Sequence, residues 1–418
     1  MKNKLQENIK EFTLENGLRV ILNKNNNIPM TCVNTVFHVG AKDDGEGKKG
    51  MAHLFEHLMF EGSENVPHGV FDELLTQNGG ESNAYTSWDV TSYYVVLPSS
   101  ALELGLWLES DRMNGFKITD EELEIQKDVI AEEKMTVFDN TPYGSLEEES
   151  SKRLFKTSGY RDTIIGNMDH LRSVTLEDIN RHFQKYYSPS NAVLSIGGDI
   201  DFESTEALVR KYYSDIKPSS KIKKNNFQEE PVKFYEGKVE DNVQLPGSFI
   251  FYRAPKMGEK DYYSLKILSA ILTEGDSSIL YKRLVVNNEL VNEIDSSVHG
   301  MEDAGIFSIN SIHLLNSDKM KTKNIIDESI EEIKNGKISS KEIEKINNRI
   351  ETIMELRKNN LVSFTDRLGY YKTIYGSVDK VFTETEEFKK IKAEDIIEAA
   401  NKYLKKDERI ILDYISKN

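Results

Sequence analysis

Residues Met51-Ala52-His53-Leu54-Phe55-Glu56-His57-Leu58-Met59-Phe60 place two imidazoles and a carboxylate in the order His-x-x-Glu-His inside an apolar run. The run holds neither proline nor glycine, which predicts a helix. Positions four apart share a helix face, so His53 and His57 stack one turn apart. Two imidazoles aimed at one point are half of a zinc site, with Zn–N distances of about 2.0–2.1 Å. Glu56 sits close to such an ion without having to ligate it, which is the place for a general base acting on water. The order is the reverse of His-Glu-x-x-His and matches the inverzincin pattern. Such a pair of histidines also fits a polar surface or a satisfied core. The apolar neighbours Ala52, Leu54, Phe55, Leu58, Met59 and Phe60 predict a buried helix. Buried imidazoles beside a buried carboxylate are costly unless paired or metal-bound.

A catalytic zinc takes three protein ligands and keeps one position for water. The remaining histidines (His38, His68, His170, His182, His299, His313) do not cluster in the sequence, which makes a carboxylate the expected third ligand. The predicted helix from Ile118 to about Val137 carries Gln126-Lys127-Asp128-Val129-Ile130-Ala131-Glu132-Glu133. Glu133 shares a face with Val129, Ile130 and Gln126, and Glu132 competes with it; a surface role for either is the alternative.

The 418 residues exceed one ordinary core and predict more than one domain. No apolar run approaches the roughly 18 residues of a membrane span. The start, Met1-Lys2-Asn3-Lys4-Leu5-Gln6-Glu7-Asn8, lacks the apolar segment of a signal peptide, so a cytoplasmic location is expected unless a leader has been removed. The single cysteine, Cys32, excludes an internal disulfide and a cysteine-based zinc site, and its apolar surroundings predict core packing. A net charge of −16 argues against nucleic acid.

The chain predicts alternating strands and helices, with a polar linker over 217–233 between domains 1–216 and 234–418. The halves match residue by residue at an offset of about 215. Lys117-Ile118-Thr119-Asp120-Glu121-Glu122-Leu123-Glu124 resembles Lys337-Ile338-Ser339-Ser340-Lys341-Glu342-Ile343-Glu344. Glu177-Asp178-Ile179 with Lys185-Tyr186 resembles Glu394-Asp395-Ile396 with Lys402-Tyr403, and Glu61-Gly62 resembles Glu274-Gly275. The expected fold is therefore α+β in two homologous halves. By these registers His53, Glu56 and His57 fall opposite Lys266, Ser269 and Ala270, so the second half has no counterpart of the site. Glu133 falls opposite Ile353, an apolar residue, which suggests a core-facing position where a carboxylate needs a partner.

These residues resemble the pitrilysin/insulinase zinc peptidases, closest to the short two-domain members that include bacterial peptidases and the mitochondrial processing peptidase β subunit. The resemblance runs over essentially the whole chain. It is carried by Gly50–Gly62, by Gly79-Gly80 through Asn83-Ala84-Tyr85-Thr86 to Asp89-x-Thr91, by Asp128-Val129-Ile130-x-x-Glu133, and by Tyr187-x-Pro189-x-Asn191. It implies a mixed, mostly antiparallel sheet packed with helices in each half. It implies one Zn2+ per chain held by His53, His57 and Glu133, with Glu56 as base. Asn83, Ala84 and Tyr85 would lie on a strand edge where an extended peptide substrate adds as a further strand.

Two positions depart from the family pattern. Gln126 stands where a second glutamate is usual, expected to orient the site's surroundings from behind the ligands. Val285 and Asn292 take the places of an arginine and a tyrosine that bind substrate and stabilise the oxyanion. The expected activity is a zinc-dependent endopeptidase on short or unfolded peptides, the metal-bearing subunit of a heterodimer whose motif-less paralogous partner supplies arginine and tyrosine. A self-sufficient homodimer and a non-catalytic scaffold subunit are the alternatives.

Overall fold

The computed structural model describes residues 8–220, 222 and 227–417. The start of the chain up to Glu7, read above for a leader, and part of the predicted linker (Lys221 and residues 223–226) lie outside them. The fold is α+β and divides into two compact units, each assembled from separated segments. One takes Met1–Glu132, Asp162–Asn226 and Glu355–Thr383; the other takes Glu133–Arg161, Phe227–Met354 and Glu384–Asn418.

The first unit is built on a six-stranded sheet of β1 (Ile9–Thr13), β2 (Arg19–Lys24), β3 (Met30–Phe37), β4 (Glu81–Thr86), β5 (Thr91–Pro98) and β6 (Ala192–Gly198). Its order is β1-β2-β6-β3-β5-β4, antiparallel throughout except for the parallel pair β2 and β6. Both faces of β3 are covered, so its residues read as a continuous buried run rather than an alternation. On one face Thr35 reaches Glu109 of the helix Leu102–Asn114. On the other, Asn34 reaches Asp366 of the helix Leu361–Tyr375. Cys32 is fully buried in this strand.

The helix Leu361–Tyr375 seals the sheet with Phe364, Leu368 and Tyr371 against Ile21 and Val193. It can lie that close because the contact positions are glycines. A Cβ on Gly197 of β6 would collide with the Thr365 hydroxyl, and one on Gly369 would come within 2.9 Å of the Val36 side chain.

The second unit repeats the plan with five strands, β7 (Tyr235–Asp241), β8 (Gly247–Ala254), β9 (Val291–Gly300), β10 (Gly305–His313) and β11 (Arg409–Ser416). The order β7-β11-β8-β10-β9 copies β2-β6-β3-β5-β4, down to the one parallel pair. The caps repeat as well. Thr119 and Glu122 exchange hydrogen bonds at the start of the helix Asp120–Glu133, with the Glu122 amide donating to the Thr119 hydroxyl at 3.2 Å. Ser339 and Glu342 do the same at the start of Ser340–Arg357. Such a reciprocal box satisfies two orphan helix amides, which explains why both copies keep it. Among the described residues no helix is long and apolar enough to cross a membrane.

Substituting Gly197 by valine should therefore push the helix Leu361–Tyr375 off its sheet. The expected cost is about 1–3 kcal/mol, the scale of overpacking in a filled core, read as a lower denaturant midpoint at unchanged slope. A midpoint equal to that of the parent protein would show that the close approach does not matter.

Candidate metal centre

The helix that carries the His-x-x-Glu-His motif spans Met51–Leu58, and Met51, Ala52, His53, Leu54, Phe55 and Leu58 are buried. Its entry is made by Gly50, whose φ of 96° favours glycine; a Cβ there would come within 2.8 Å of the Ile165 carbonyl oxygen, and one on Gly166 would collide with the Gly50 backbone. The orphan amides of the first turn find an acceptor in Asp44. One carboxylate oxygen takes the Gly50 N–H at 2.7 Å and the other takes the Ala52 N–H at 2.9 Å. Burial pushes Asp44 up to about 7, against the pull of those two backbone bonds. Phe55 locks the helix from below, its ring 4.2 Å from that of Tyr187 and 5.3 Å from that of Phe116. Tyr187 is tied in turn to Tyr93 of β5 by a 2.9 Å hydroxyl contact.

On this helix the His53 and His57 rings lie edge to face, 4.8 Å between centroids. Their donor nitrogens and a Glu133 carboxylate oxygen all fall within 4.8 Å of one another. Glu133 is the last residue of the helix Asp120–Glu133, the other residues of which belong to the first unit. Its competitor Glu132 is exposed and outside the group. Burial, and secondarily the neighbouring His57, push His53 down to about 4, so at neutral pH its imidazole is uncharged and offers a lone pair. Two imidazole nitrogens and one carboxylate oxygen, gathered from two helices at the edge of a core, are the donor set of a catalytic zinc.

The expected core-facing side of Asp120–Glu133 fares less simply. Ile130 is fully buried, but Val129 is 42% exposed, and Ile353, the register partner of Glu133, is 38% exposed. The position is therefore not core-facing in the second half, and the comparison with Ile353 does not account for Glu133. Gln126 donates its amide to Glu61 at 2.6 Å. Glu61 also contacts His68 Nδ1 at 2.8 Å, which fixes the turn that follows the helix Met51–Leu58.

Glu56 projects toward β4. The Thr86 hydroxyl donates to Glu56 Oε2 at 2.5 Å. Among the described residues β4 pairs with β5 alone, which leaves its other edge without a strand, and Asn83, Ala84 and Tyr85 lie along that edge. The Ala84 amide is engaged by the Asn83 side chain at 2.7 Å rather than by a neighbouring strand. The Tyr85 side chain points to the opposite sheet face, where its hydroxyl meets both Asp366 oxygens at 3.1 Å.

In the second unit the helix Lys260–Thr273 packs beside β9 and carries Lys266, Ser269 and Ala270. Ser269 is buried and donates to the Ser296 carbonyl at 2.8 Å, a hydroxyl where the first unit has a carboxylate. Val285 is partly buried against that unit's core, and Asn292 is exposed on β9.

Asp44, Thr86 and Asp366 were not singled out from the sequence. Asp44 lies in what reads only as a glycine-rich loop, and Asp366 is remote in sequence from its hydrogen-bond partners Asn34, Tyr85 and Ser92. Thr86 alone carried a signal, since it ends the Asn83-Ala84-Tyr85-Thr86 block.

Comparison with known proteins gives this geometry a lineage. Residues 19–167 match the family model described as insulinase (peptidase family M16), and residues 173–350 match that described as the peptidase M16 inactive domain. A zinc protease of Helicobacter pylori, PqqE, is 29% identical over 402 residues, 94% of this chain and 89% of that protein. A probable mitochondrial-processing peptidase β subunit of Arabidopsis thaliana is 23% identical over 312 residues, 72% of this chain and 58% of that protein. The crystal structure of a protease from Helicobacter pylori superposes with a TM-score of 0.91 at 26% identity, covering 97% of this chain and 99% of that one. The matches cover both halves, and the half matched by the insulinase model is the one that holds the histidine pair. The chain belongs to the insulinase (peptidase M16) family and is a zinc-dependent metallopeptidase.

Proposed function

We propose that this chain is an endopeptidase that binds short or unfolded peptides in extended form along β4 and hydrolyses them at a zinc held by His53, His57 and Glu133. The observation that carries the reading is the gathering of those three donors beside an open strand edge and a carboxylate aimed at it. Backbone pairing on an edge holds an extended chain with little regard for its sequence. The outward Ala84 amide is a donor for a substrate carbonyl once the Asn83 side chain turns from it. Zinc, when bound, supplies Lewis acidity and lowers the pKa of a coordinated water to about 7. Glu56 takes the proton from the attacking water and delivers it to the departing amine. Thr86 holds one of its oxygens while this happens.

Glu56→Gln should abolish turnover, a loss of about 10²–10⁴-fold for a general base, and leave zinc content unchanged. Retained turnover would remove Glu56 from the role, and a scaffold subunit would lose nothing.

With Val285 and Asn292 in place of arginine and tyrosine, the chain brings no such pair for the oxyanion. This favours a heterodimer in which a paralogue without the histidine motif brings it. One missing oxyanion donor is worth about 10²–10³ in rate, so mixing the purified chain with that paralogue should raise kcat by a comparable factor. Equal turnover alone and mixed would favour the self-sufficient homodimer.

A further inference from the structure

We infer that Thr86 is the positioning residue of the catalytic base, and that Asp366, acting through Tyr85, holds Thr86 in place. The inference rests on Glu56 being the base and adds to that reading. A general base needs one carboxylate oxygen directed at water and the whole group held against rotation. The Thr86 hydroxyl contact to Glu56 Oε2, 2.5 Å long, is a charge-assisted bond at the short end of its range. It fixes the plane of the carboxylate.

Thr86 can do this only if β4 stays where it is, and among the described residues β4 has one neighbouring strand, β5, to hold it. The strand alternation supplies the second hold. Tyr85, adjacent to Thr86, faces the other side of the sheet. There its hydroxyl donates to Asp366, at 3.1 Å from each oxygen. Asp366 is a partly buried carboxylate that also accepts from Ser92 of β5 at 2.9 Å and from Asn34 of β3 at 3.3 Å. One side chain of the helix Leu361–Tyr375 thus ties three consecutive strands together, one residue from the contact that orients the base. A carboxylate turned from a helix against the face of a sheet is costly unless hydrogen-bonded, and packing alone would be served by an apolar residue.

The test compares kcat, KM and bound zinc for Thr86→Val, Thr86→Ser, Tyr85→Phe and the pair Tyr85→Phe/Thr86→Val, with Glu56→Gln as control. Thr86→Val should lower kcat about 10–100-fold, as loss of an outer hydrogen-bond partner does, with KM and zinc content nearly unchanged. Thr86→Ser, which restores the hydroxyl, should recover most of the rate. Tyr85→Phe should lower kcat by less, and its effect on kcat should vanish in the Thr86→Val background. Wild-type kcat in Thr86→Val, or a serine variant as slow as the valine one, would overturn the inference while leaving the base in place if Glu56→Gln is dead. Independent effects of Tyr85→Phe and Thr86→Val would sever Asp366 from the base. An active Glu56→Gln enzyme would overturn the underlying reading instead.

Discussion

Everything at this site follows from the cost of burying the few polar groups of an otherwise apolar helix. His53 is enclosed, Glu56 and His57 are half enclosed, and the first-turn amides lie under a loop. Each needs a partner, because an unmatched polar group inside a protein costs about 1–3 kcal/mol and an unmatched charge more. The chain provides partners one by one: Asp44 for the amides, Thr86 for Glu56, and Glu133 in company with the two imidazoles. Burial also keeps His53 neutral, which suits a metal ligand and not an ion pair. The arrangement is preorganised by packing, with Phe55 wedged among Tyr187 and Phe116 so that the helix cannot roll.

The duplicated architecture shows how little of the fold the chemistry requires. Both units have the same strand order and the same capped helix at corresponding places. The second does without the histidines and has Ser269 at the position that corresponds to Glu56, its hydroxyl satisfied by a β9 carbonyl. A neutral hydroxyl can be buried with one hydrogen bond; a carboxylate with two histidines cannot. The asymmetry is therefore what is expected when one copy keeps a costly site and the other relaxes into an ordinary core.

The site was legible in the sequence where it is local. The His-x-x-Glu-His spacing dictates a shared helix face, and that face formed. Repeated capping sequences at Thr119 and Ser339 became repeated capping boxes, because Thr or Ser three before Glu is a signal contained within one turn. Glu133 is legible through its spacing and the family resemblance but not through Ile353, which is apolar yet exposed. What could not be read is the non-local part. Asp366 meets Asn34, Tyr85 and Ser92 across some 300 residues of chain, and nothing in its immediate sequence marks it. The exchange that places Glu355–Thr383 in one unit and Glu133–Arg161 in the other has no local signature either. The strand β9 has no clear alternation to mark it, because it mixes buried residues with polar ones such as Asn292, Asp295 and Ser297.

The account stands on three side chains meeting at one ion. Anomalous diffraction at the zinc edge from crystals of the zinc-loaded protein tests this most directly. One peak bonded to His53, His57 and Glu133 at about 2.0–2.2 Å, with Glu56 close by but not ligating, is the predicted result. A peak elsewhere, or a zinc held without Glu133, would contradict it.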